Sequence, residues 1–347
     1  MLTDFTGTTF PGMYQWQVDE VELIKNLQQQ IEQAFPDTKN LLINTTWFGP
    51  QFPNGEYNKV LAMTTQYDNL FLLAAGDPVF LNRAQLDNLA QILKVKNVYG
   101  LGHFDSKYTF NFHASHLLIK YFKSYTEEEL LLKEPRHVFL CYNRKPREHR
   151  VALVKELIAN DLVKHGIVTL GKNDPVYSNK ESEDLCLLLG EDPDQYHEGN
   201  WGNDMHFGIP HDIHSLGNPE LWQNHFITIV SETEFLPWDN TLLTEKTWKP
   251  VIGMRPFLLN GQTKIYKWLR DRGFKTFTHY FPGIKLEGLA ELEVHQALCV
   301  AIKYLIAKDP TELKAMYTDM LPALQHNRAR FFEFAKEENH RVNNLFQ

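Results

Sequence analysis

Charged side chains stand close together in the segment SETEFLPWDNTLLTEKTWKP, residues 231–250, between two apolar runs. Glu232 and Glu234 follow the run FITIV, and Glu245 and Lys246 come after Thr244, which suits the N-cap of a helix. Glu245 would stabilise the positive end of that helix dipole, whereas Lys246 opposes it. A bound anion such as a diphosphate explains a lysine at this place, so the segment is predicted to form part of a ligand site.

A second group of polar residues, Asn143, Arg144 and Lys145, follows the apolar run HVFLCY. Pro146 suits the first position of the helix that comes next. Cations at a strand end, beside helix N–H groups that attract anions, are typical of a phosphate site. We therefore predict that this turn binds the ligand, with Arg144 as its main cation. Arg147 is interpreted as part of the solvated face of the helix.

Histidines offer a further kind of chemistry. His206, His211, Asp212 and His214 form a tight group of potential metal ligands, but they lie in a Gly- and Pro-rich stretch of a chain with 15 histidines, where such groups arise by chance. We predict that His206 and His211 contact an acceptor or a sugar and that no metal is bound. The Asp-x-Asp at 192–194 is interpreted as a surface turn.

The elements that must position these residues alternate between strands and helices. Short, uniformly apolar runs predict strands at 41–48, 70–76, 97–102, 137–143, 166–171, 225–231 and 255–261. Uniform apolar character is typical of strands buried on both faces of a parallel sheet. Helical patterns lie at 19–34, 84–94, 147–164, 263–272 and 287–308, and one or two long helices follow from about 311. This order predicts an α/β fold with right-handed crossovers.

Length and local composition predict two domains. A chain of 347 residues exceeds what one core usually supports. A charged segment with a proline, residues 125–136, separates two sets of strands. We predict Rossmann-like domains over 1–130 and 131–310, and a helical segment over 311–347 that packs back on the first domain. Ligands of such sheets bind outside the carboxyl ends of the strands, so we expect the site in a cleft between two facing domains.

Overall composition narrows the class of protein. The net charge of −8 does not favour general nucleic-acid binding. Three distant cysteines, no secretory leader and no apolar stretch of membrane-spanning length predict a soluble cytoplasmic protein. The glycines at 100 and 102 lack the third glycine of a dinucleotide fingerprint, and no P-loop sequence is present, which disfavours dehydrogenases and P-loop NTPases.

The segment ITIVSETEF…LLTEKTWKPVIGMRPFLLNG, together with the upstream NRKPREHR, resembles the donor site of the alpha-1,3-fucosyltransferases. It is still more similar to fucosyltransferase-like glycosyltransferases of bacteria and phages. The resemblance covers about 136–280. It implies that Lys246 and Arg144 bind the donor diphosphate and that Glu245 bonds the donor sugar or ribose. Glu232 and Glu234 compete for the single acidic place of the family.

The resemblance also implies a GT-B-type fold, in which 131–310 binds a nucleotide-sugar donor and 1–130 binds the acceptor. The expected reaction is an inverting sugar transfer that needs no metal and no further cofactor, since cations neutralise the leaving diphosphate. A carboxylate of the first domain would deprotonate the acceptor hydroxyl. Asp105, after a Gly-rich turn and beside His103, is the preferred base; Asp77 is the alternative. His103 is a further candidate for acceptor contact.

Two questions about function stay open at the level of sequence. The acceptor is a glycan, or a hydroxymethylated DNA base as in phage genome glycosylation, which would make DNA a partner. The alternative to an enzyme is a non-catalytic module that binds nucleotides or glycans. Salt-sensitive binding to duplex DNA separates the two acceptors, and slow hydrolysis of the donor separates an enzyme from a binding module.

Overall fold

The computed structural model describes residues 15–44, 66–74, 83–102, 107–112, 114, 125–143, 145–171, 177–190, 205–206, 209–210, 216–217, 219–233, 235 and 241–347. The chain divides into two units: Met1–Ile119 with Glu333–Gln347, and Lys120–Phe332. Each unit contains a parallel sheet, which confirms the predicted α/β class with parallel strands. Among the described helices, none is long and apolar enough to cross a membrane.

The first unit contains a three-stranded parallel sheet in the order β1-β2-β3. Its described elements are α1 (Gln15–Ala34), β1 (Asn40–Asn44), β2 (Asn69–Ala74), α2 (Arg83–Leu93) and β3 (Asn97–Gly102). β2 is the central strand, and its residues from Leu70 to Leu73 are fully buried. Burial on both faces explains why the sequence of this strand is apolar throughout.

A row of asparagines fixes the register at the amino ends of these strands. Asn40, Asn69 and Asn97 are direct partners across the sheet. Asn97 Nδ2 donates to Asn69 Oδ1 at 2.9 Å, and Asn69 Nδ2 donates to Asn40 Oδ1 at 2.8 Å. A slip by one residue would break this row and turn the apolar side chains to the other face. The asparagine row therefore specifies the register, since the uniformly apolar β2 would be buried in either register.

The second unit contains a four-stranded parallel sheet in the order β5-β4-β8-β9. A separate antiparallel pair of two-residue strands, β6 and β7, lies between β5 and β8 in the chain. The described elements are α3 (Glu127–Leu130), β4 (His137–Cys141), α4 (Glu148–Ala159), β5 (Gly166–Val168), α5 (Lys180–Leu189), β6 (Met205–His206), β7 (Ile209–Pro210), α6 (Pro219–Asn224), β8 (His225–Ser231), α7 (Glu245–Ile252), β9 (Phe257–Asn260), α8 (Lys264–Asp271), α9 (Glu291–Ile306) and the part of α10 (Pro310–Asn343) up to Phe332.

The strand order of this sheet changes direction between β4 and β8. From β4 the chain passes through α4 to β5 on one side, and it later returns to β8 on the other side of β4. Such a reversal opens a crevice at the carboxyl ends of the two strands, where ligands of open α/β sheets bind. Right-handed crossovers that run in opposite directions place their helices on opposite faces of the sheet. The residues that follow Cys141 and Ser231 are therefore the expected place for a ligand in this unit.

The C-terminal helices are present as predicted, and the sequence from 310 forms one long helix, α10, with Pro322 in its interior. The end of this helix belongs to the first unit. There Glu338 accepts a hydrogen bond from the backbone N of Asn111 at 2.6 Å, and Gln30 donates to the carbonyl of Val342 at 3.0 Å. One face of this charge-rich helix therefore contacts other elements, although the sequence of 311–347 does not show which residues form that face.

The predicted strands are all present, with shorter ends in several cases. The bounds of β3 and β8 agree with the sequence interpretation, whereas β5 covers only the first half of the predicted run 166–171. Beyond β5 the pairing continues as isolated bonds, such as Gly171 N to Asn143 O at 2.8 Å. α3, α5 and α6 were not predicted: α3 and α6 have only four and six residues, and α3 and α5 begin with side-chain capping boxes rather than a long apolar pattern.

Candidate functional site

Predicted site residues from three segments meet at the carboxyl ends of β4 and β8. Lys145 follows β4, Glu232 follows β8, and Lys246 lies in the first turn of α7. Lys246 Nζ lies 3.4 Å from Thr233 Oγ1, and the same side chain contacts the Glu245 carboxylate. The structure therefore brings the lysine of the Thr-Glu-Lys triplet to the end of β8, beside the change in strand order.

The amino end of α4 holds the turn after β8. Arg147 Nη1 donates to the carbonyl of Thr233 at 2.7 Å, and Arg150 Nη2 donates to the carbonyl of Glu232 at 2.9 Å. The same Glu232 carbonyl accepts from His149 Nε2 at 3.0 Å. These donors lie within four consecutive residues at the start of α4. The backbone after β8 is therefore held by side chains that lie 81 to 86 residues earlier in the chain.

The interpretation of Arg147 as a solvated residue is wrong. The helix begins at Glu148 rather than at Pro146, and Arg147 is its N-cap with extended backbone angles. This position turns the side chain toward the end of β8, where it is 6 % exposed, and its guanidinium lies 4.8 Å from the centre of the Tyr177 ring. Lys145 is exposed, with Nζ 6.0 Å from the same ring centre.

The start of α7 agrees with the sequence. Thr244 is the N-cap, with its hydroxyl accepting from the backbone N of Lys246 at 3.4 Å, and Glu245 is the first helical residue. Pro250 is accommodated inside this eight-residue helix, which ends at Ile252. Gly253 follows because a Cβ there would lie 2.3 Å from the Trp222 ring. Local capping chemistry therefore places Lys246 in the first turn, as predicted.

A small pocket lies between α7 and the strands β4 and β8. Its volume is about 30 Å³, and it is lined by Leu140, Tyr142, Trp222, Thr228, Ile229, Val230, Ser231, Lys246, Lys249 and Pro250. Leu140 and Tyr142 are two residues apart along the chain, so their side chains lie on the same face of the sheet. Because α7 residues line the same pocket, α7 covers this face. Two lysines of one helix thus line a pocket near the carboxyl edge of the sheet.

Lys249 is the residue that the sequence interpretation missed. It is 6 % exposed, and it lies three positions after Lys246, so the two side chains share one face of α7. The signal was present in the spacing K-x-x-K of EKTWKP.

Asn143 is completely buried and faces β5. Its backbone N donates to Thr169 Oγ1 at 3.0 Å, and its Nδ2 donates to the Thr169 carbonyl at 3.1 Å. Its Oδ1 has no hydrogen-bond partner among the described residues. The amide as placed ties the end of β4 to the segment after β5, and a contact between Asn143 and a donor stays a prediction.

Other predicted site residues lie outside the described ranges: Asp77, His103, Asp105, Arg144, His211 and Glu234. His206 belongs to β6, where only the backbone is described. The predicted base, the predicted cation after β4 and the predicted acceptor contacts therefore stay predictions. The second unit alone supplies the geometry from which a function is argued.

The described part of the chain contains no candidate metal site and no candidate reactive thiol. No three His, Cys, Asp or Glu side chains are grouped there as potential metal ligands. Cys141, Cys186 and Cys299 are buried free thiols. Burial raises the pKa of Cys141 and of Cys299 to about 11, so both thiols stay protonated and unreactive near neutral pH.

Three buried histidines of the second unit stay uncharged. Burial, aided by the charge of Arg150, lowers the pKa of His149 to about 3, and burial with the charge of Arg255 lowers that of His225 to about 3. Burial lowers the pKa of His295 to about 4. His295 Nε2 donates to Asn260 Oδ1 at 2.9 Å, and each ring therefore serves as a neutral hydrogen-bonding group.

We expect the second unit to lose stability as the pH falls from 6.5, the ordinary histidine pKa, toward 4. The unfolded chain takes up protons that the folded chain excludes, so acid favours unfolding by about 1.4 kcal/mol per pH unit for each histidine. Urea unfolding at pH 7 and pH 5 measures the loss. His295→Gln, which keeps a donor for Asn260, should reduce it by about 2 kcal/mol.

The matched control is His279→Gln, because His279 is exposed. This change should leave the difference in unfolding free energy between pH 7 and pH 5 at the wild-type value. If His295→Gln also leaves that difference at the wild-type value, the buried ring of His295 does not contribute to the acid sensitivity.

The described site combines a cation pair on α7 with the fixed turn after β8. These features lie at the carboxyl edge of a parallel sheet, where the strand order reverses. No protein-family model, no curated protein and no solved structure matches the chain.

Proposed function

We propose that the protein is a nucleotide-sugar-dependent glycosyltransferase whose second unit binds the diphosphate of the donor. The observation that carries the proposal is the pair Lys246 and Lys249, which lines one pocket at the carboxyl edge of β4 and β8. An enzyme that leaves a nucleoside diphosphate behind must stabilise the negative charge that develops on it. Two lysines on one helix face supply positive charge for that purpose.

The position of the pair supports a diphosphate better than a neutral ligand. Lys246 lies in the first turn of α7, where the positive end of the helix dipole favours an anion. Its ammonium group is paired with the Glu245 carboxylate, and 21 % of the side chain is exposed. A diphosphate can bind Lys246, and Glu245 can bind a hydroxyl group of the ribose or sugar; these are the roles that the fucosyltransferase resemblance implies.

The finer parts of the proposal come from the sequence. They are a GT-B arrangement, Arg144 as a further cation for the diphosphate, inverting transfer without a metal, and Asp105 or Asp77 as the base. The acceptor is proposed to be a hydroxyl group of a glycan, since the net charge of −8 does not favour DNA. A basic cleft that tracks a duplex would instead show itself as binding that weakens steeply with salt.

A thermal-shift panel tests the proposal directly. GDP, UDP, CDP and ADP are each added to the full chain, with the four corresponding nucleosides as controls that lack the diphosphate. At about 100 times its dissociation constant, the correct nucleotide should stabilise the fold by about 2.7 kcal/mol. The nucleosides should do far less, because they offer no charge to Lys246 and Lys249.

The outcomes of this panel separate the alternatives. Absence of any shift with all four diphosphates would remove the donor site and with it the glycosyltransferase proposal. Once the base is known, slow release of free sugar from the matching nucleotide sugar shows an enzyme. Tight binding of that nucleotide sugar without release of the sugar, and without transfer to any hydroxyl acceptor, indicates a binding module.

A further inference from the structure

The Glu232 carboxylate accepts hydrogen bonds on both of its oxygens. The residue is 1 % exposed. Its Oε2 accepts from the backbone N of Thr233 at 3.1 Å and from Thr244 Oγ1 at 2.6 Å. Its Oε1 accepts from the backbone N of Thr244 at 3.2 Å and from the hydroxyl of Thr247. Two of these four donors belong to the N-cap residue of α7, and one to its first turn.

These hydrogen bonds occupy the acceptor capacity of the carboxylate. An ionised carboxylate offers about four lone-pair sites, and four donors of this chain face Glu232. Its backbone is engaged as well, since its N donates to the Asn260 carbonyl at 3.2 Å and its O accepts from Arg150. A group in this state is poorly suited to bind a sugar hydroxyl or to accept a proton from a substrate.

The same bonds connect the end of β8 to the start of α7. Glu232 follows the strand directly, whereas Thr244 and Thr247 are 12 and 15 residues further along the chain. Gly261 permits the approach of β9, because a Cβ at this glycine would lie 3.2 Å from Glu232 Cβ. A negative charge at a helix amino end also stabilises the helix. Lys246, between the two threonines, is thereby fixed beside Thr233.

We propose that Glu232 is a positioning residue that joins α7 to β8 and so holds Lys246 where the anion binds. The inference rests on the proposed function, because it assumes that Lys246 contacts the diphosphate. It also answers the question that the sequence leaves open. Glu232 acts through Thr244 and Thr247, and it does not take the donor-contacting place of the single acid in the fucosyltransferase pattern.

Glu232→Gln is the sharpest substitution because it keeps the shape of the side chain. An amide NH₂ replaces one of the two oxygens, so it must face the backbone N–H of either Thr233 or Thr244, neither of which can accept a hydrogen bond. The amino end of α7 should loosen. Hydrogen exchange of the amides of Thr244 and Thr247 should then accelerate at least about tenfold relative to exchange in the strands of the same sheet.

Binding of inorganic pyrophosphate, measured by calorimetry on the full chain, tests the link to Lys246. Glu232→Gln should weaken binding about tenfold in the wild-type background and have no effect in the Lys246→Met background. Non-additivity of this kind is not expected of a substitution that only lowers global stability. Equal affinity of Glu232→Gln and wild type, or an equal further loss in both backgrounds, would overturn the positioning role.

Thr247 provides a milder pair of variants if Glu232→Gln does not fold. Thr247→Val removes one of the four donors, whereas Thr247→Ser keeps the hydroxyl and should restore wild-type affinity and exchange. Equal affinity and exchange in the valine and serine variants would also overturn the role. If wild-type protein binds neither pyrophosphate nor any nucleoside diphosphate, the proposed function fails, and the exchange of the Thr244 amide alone then decides whether Glu232 fixes α7.

Discussion

Lys246→Met should lower the affinity for the preferred nucleoside diphosphate by about 100-fold, which corresponds to about 3 kcal/mol. Methionine keeps the length of the side chain and removes only the ammonium group. The diphosphate would lose a direct charge contact at the amino end of α7, where Lys246 Nζ lies 3.4 Å from Thr233 Oγ1. Transfer activity should fall at least as much, because the leaving group carries more charge in the transition state.

Lys249→Met should weaken the same ligand, and the effect of the double variant shows whether both lysines touch one anion. Two charges that bind one diphosphate give effects that are not additive. Lys249 is 6 % exposed, so methionine also preserves its packing against the pocket. A fall in the melting temperature without a change in nucleotide affinity would show that Lys249 has only a structural role.

Lys267→Met is the matched control for both lysines. Lys267 lies on α8, its side chain is 72 % exposed, and it pairs with Asp271 at 2.7 Å. An exposed ion pair of this kind contributes about 0.3–0.5 kcal/mol, so neither stability nor nucleotide affinity should change measurably. Calorimetric titration with the nucleotide found in the thermal-shift panel measures all three variants. Wild-type affinity in Lys246→Met contradicts the proposed site.

The features that could be predicted from the sequence depend on neighbouring residues. The strands of both sheets are short apolar runs, and the central strands β2 and β8 are buried on both faces. Thr244 is an N-cap because a hydroxyl precedes a helix start. Lys246 was singled out by its conflict with the helix dipole, and the structure places it at the end of β8. Each inference needed only a few consecutive residues.

The features that the sequence did not predict depend on distant contacts. Arg147 and Arg150 look like ordinary surface arginines of a helix, but their partners include backbone carbonyls 81 to 86 residues away. Glu232 looks like a ligand-binding acid, and only the position of Thr247 after folding shows that its carboxylate is occupied. No local pattern records that Glu232 of SETEF turns inward. Contacts between segments that are distant in the sequence determine where these side chains lie.

Arg150→Met should lower the unfolding free energy of the second unit by about 3 kcal/mol. The guanidinium is 2 % exposed, and it donates to three backbone carbonyls: Glu232 at 2.9 Å, Lys145 at 3.2 Å and Ser231 at 3.3 Å. Methionine fills most of the space but donates to none of them. Buried carbonyls would then lose charged donors, and the turns after β4 and β8 would no longer be held together.

Thermal unfolding followed by circular dichroism measures this effect, with Arg136→Met as the matched control. Arg136 is exposed and pairs only with Glu134 among the described contacts, at 3.0 Å, so its replacement should change little. Arg150→Met should lower the melting temperature by about 6–12 °C for a unit of this size. Arg150→Lys should recover only part of the loss, since one ammonium group cannot span three carbonyls in the geometry of a guanidinium fork. Equal melting temperatures of Arg150→Met and Arg136→Met would mean that solvent replaces these bonds and that the turn after β8 is fixed by Arg147 and His149 without Arg150.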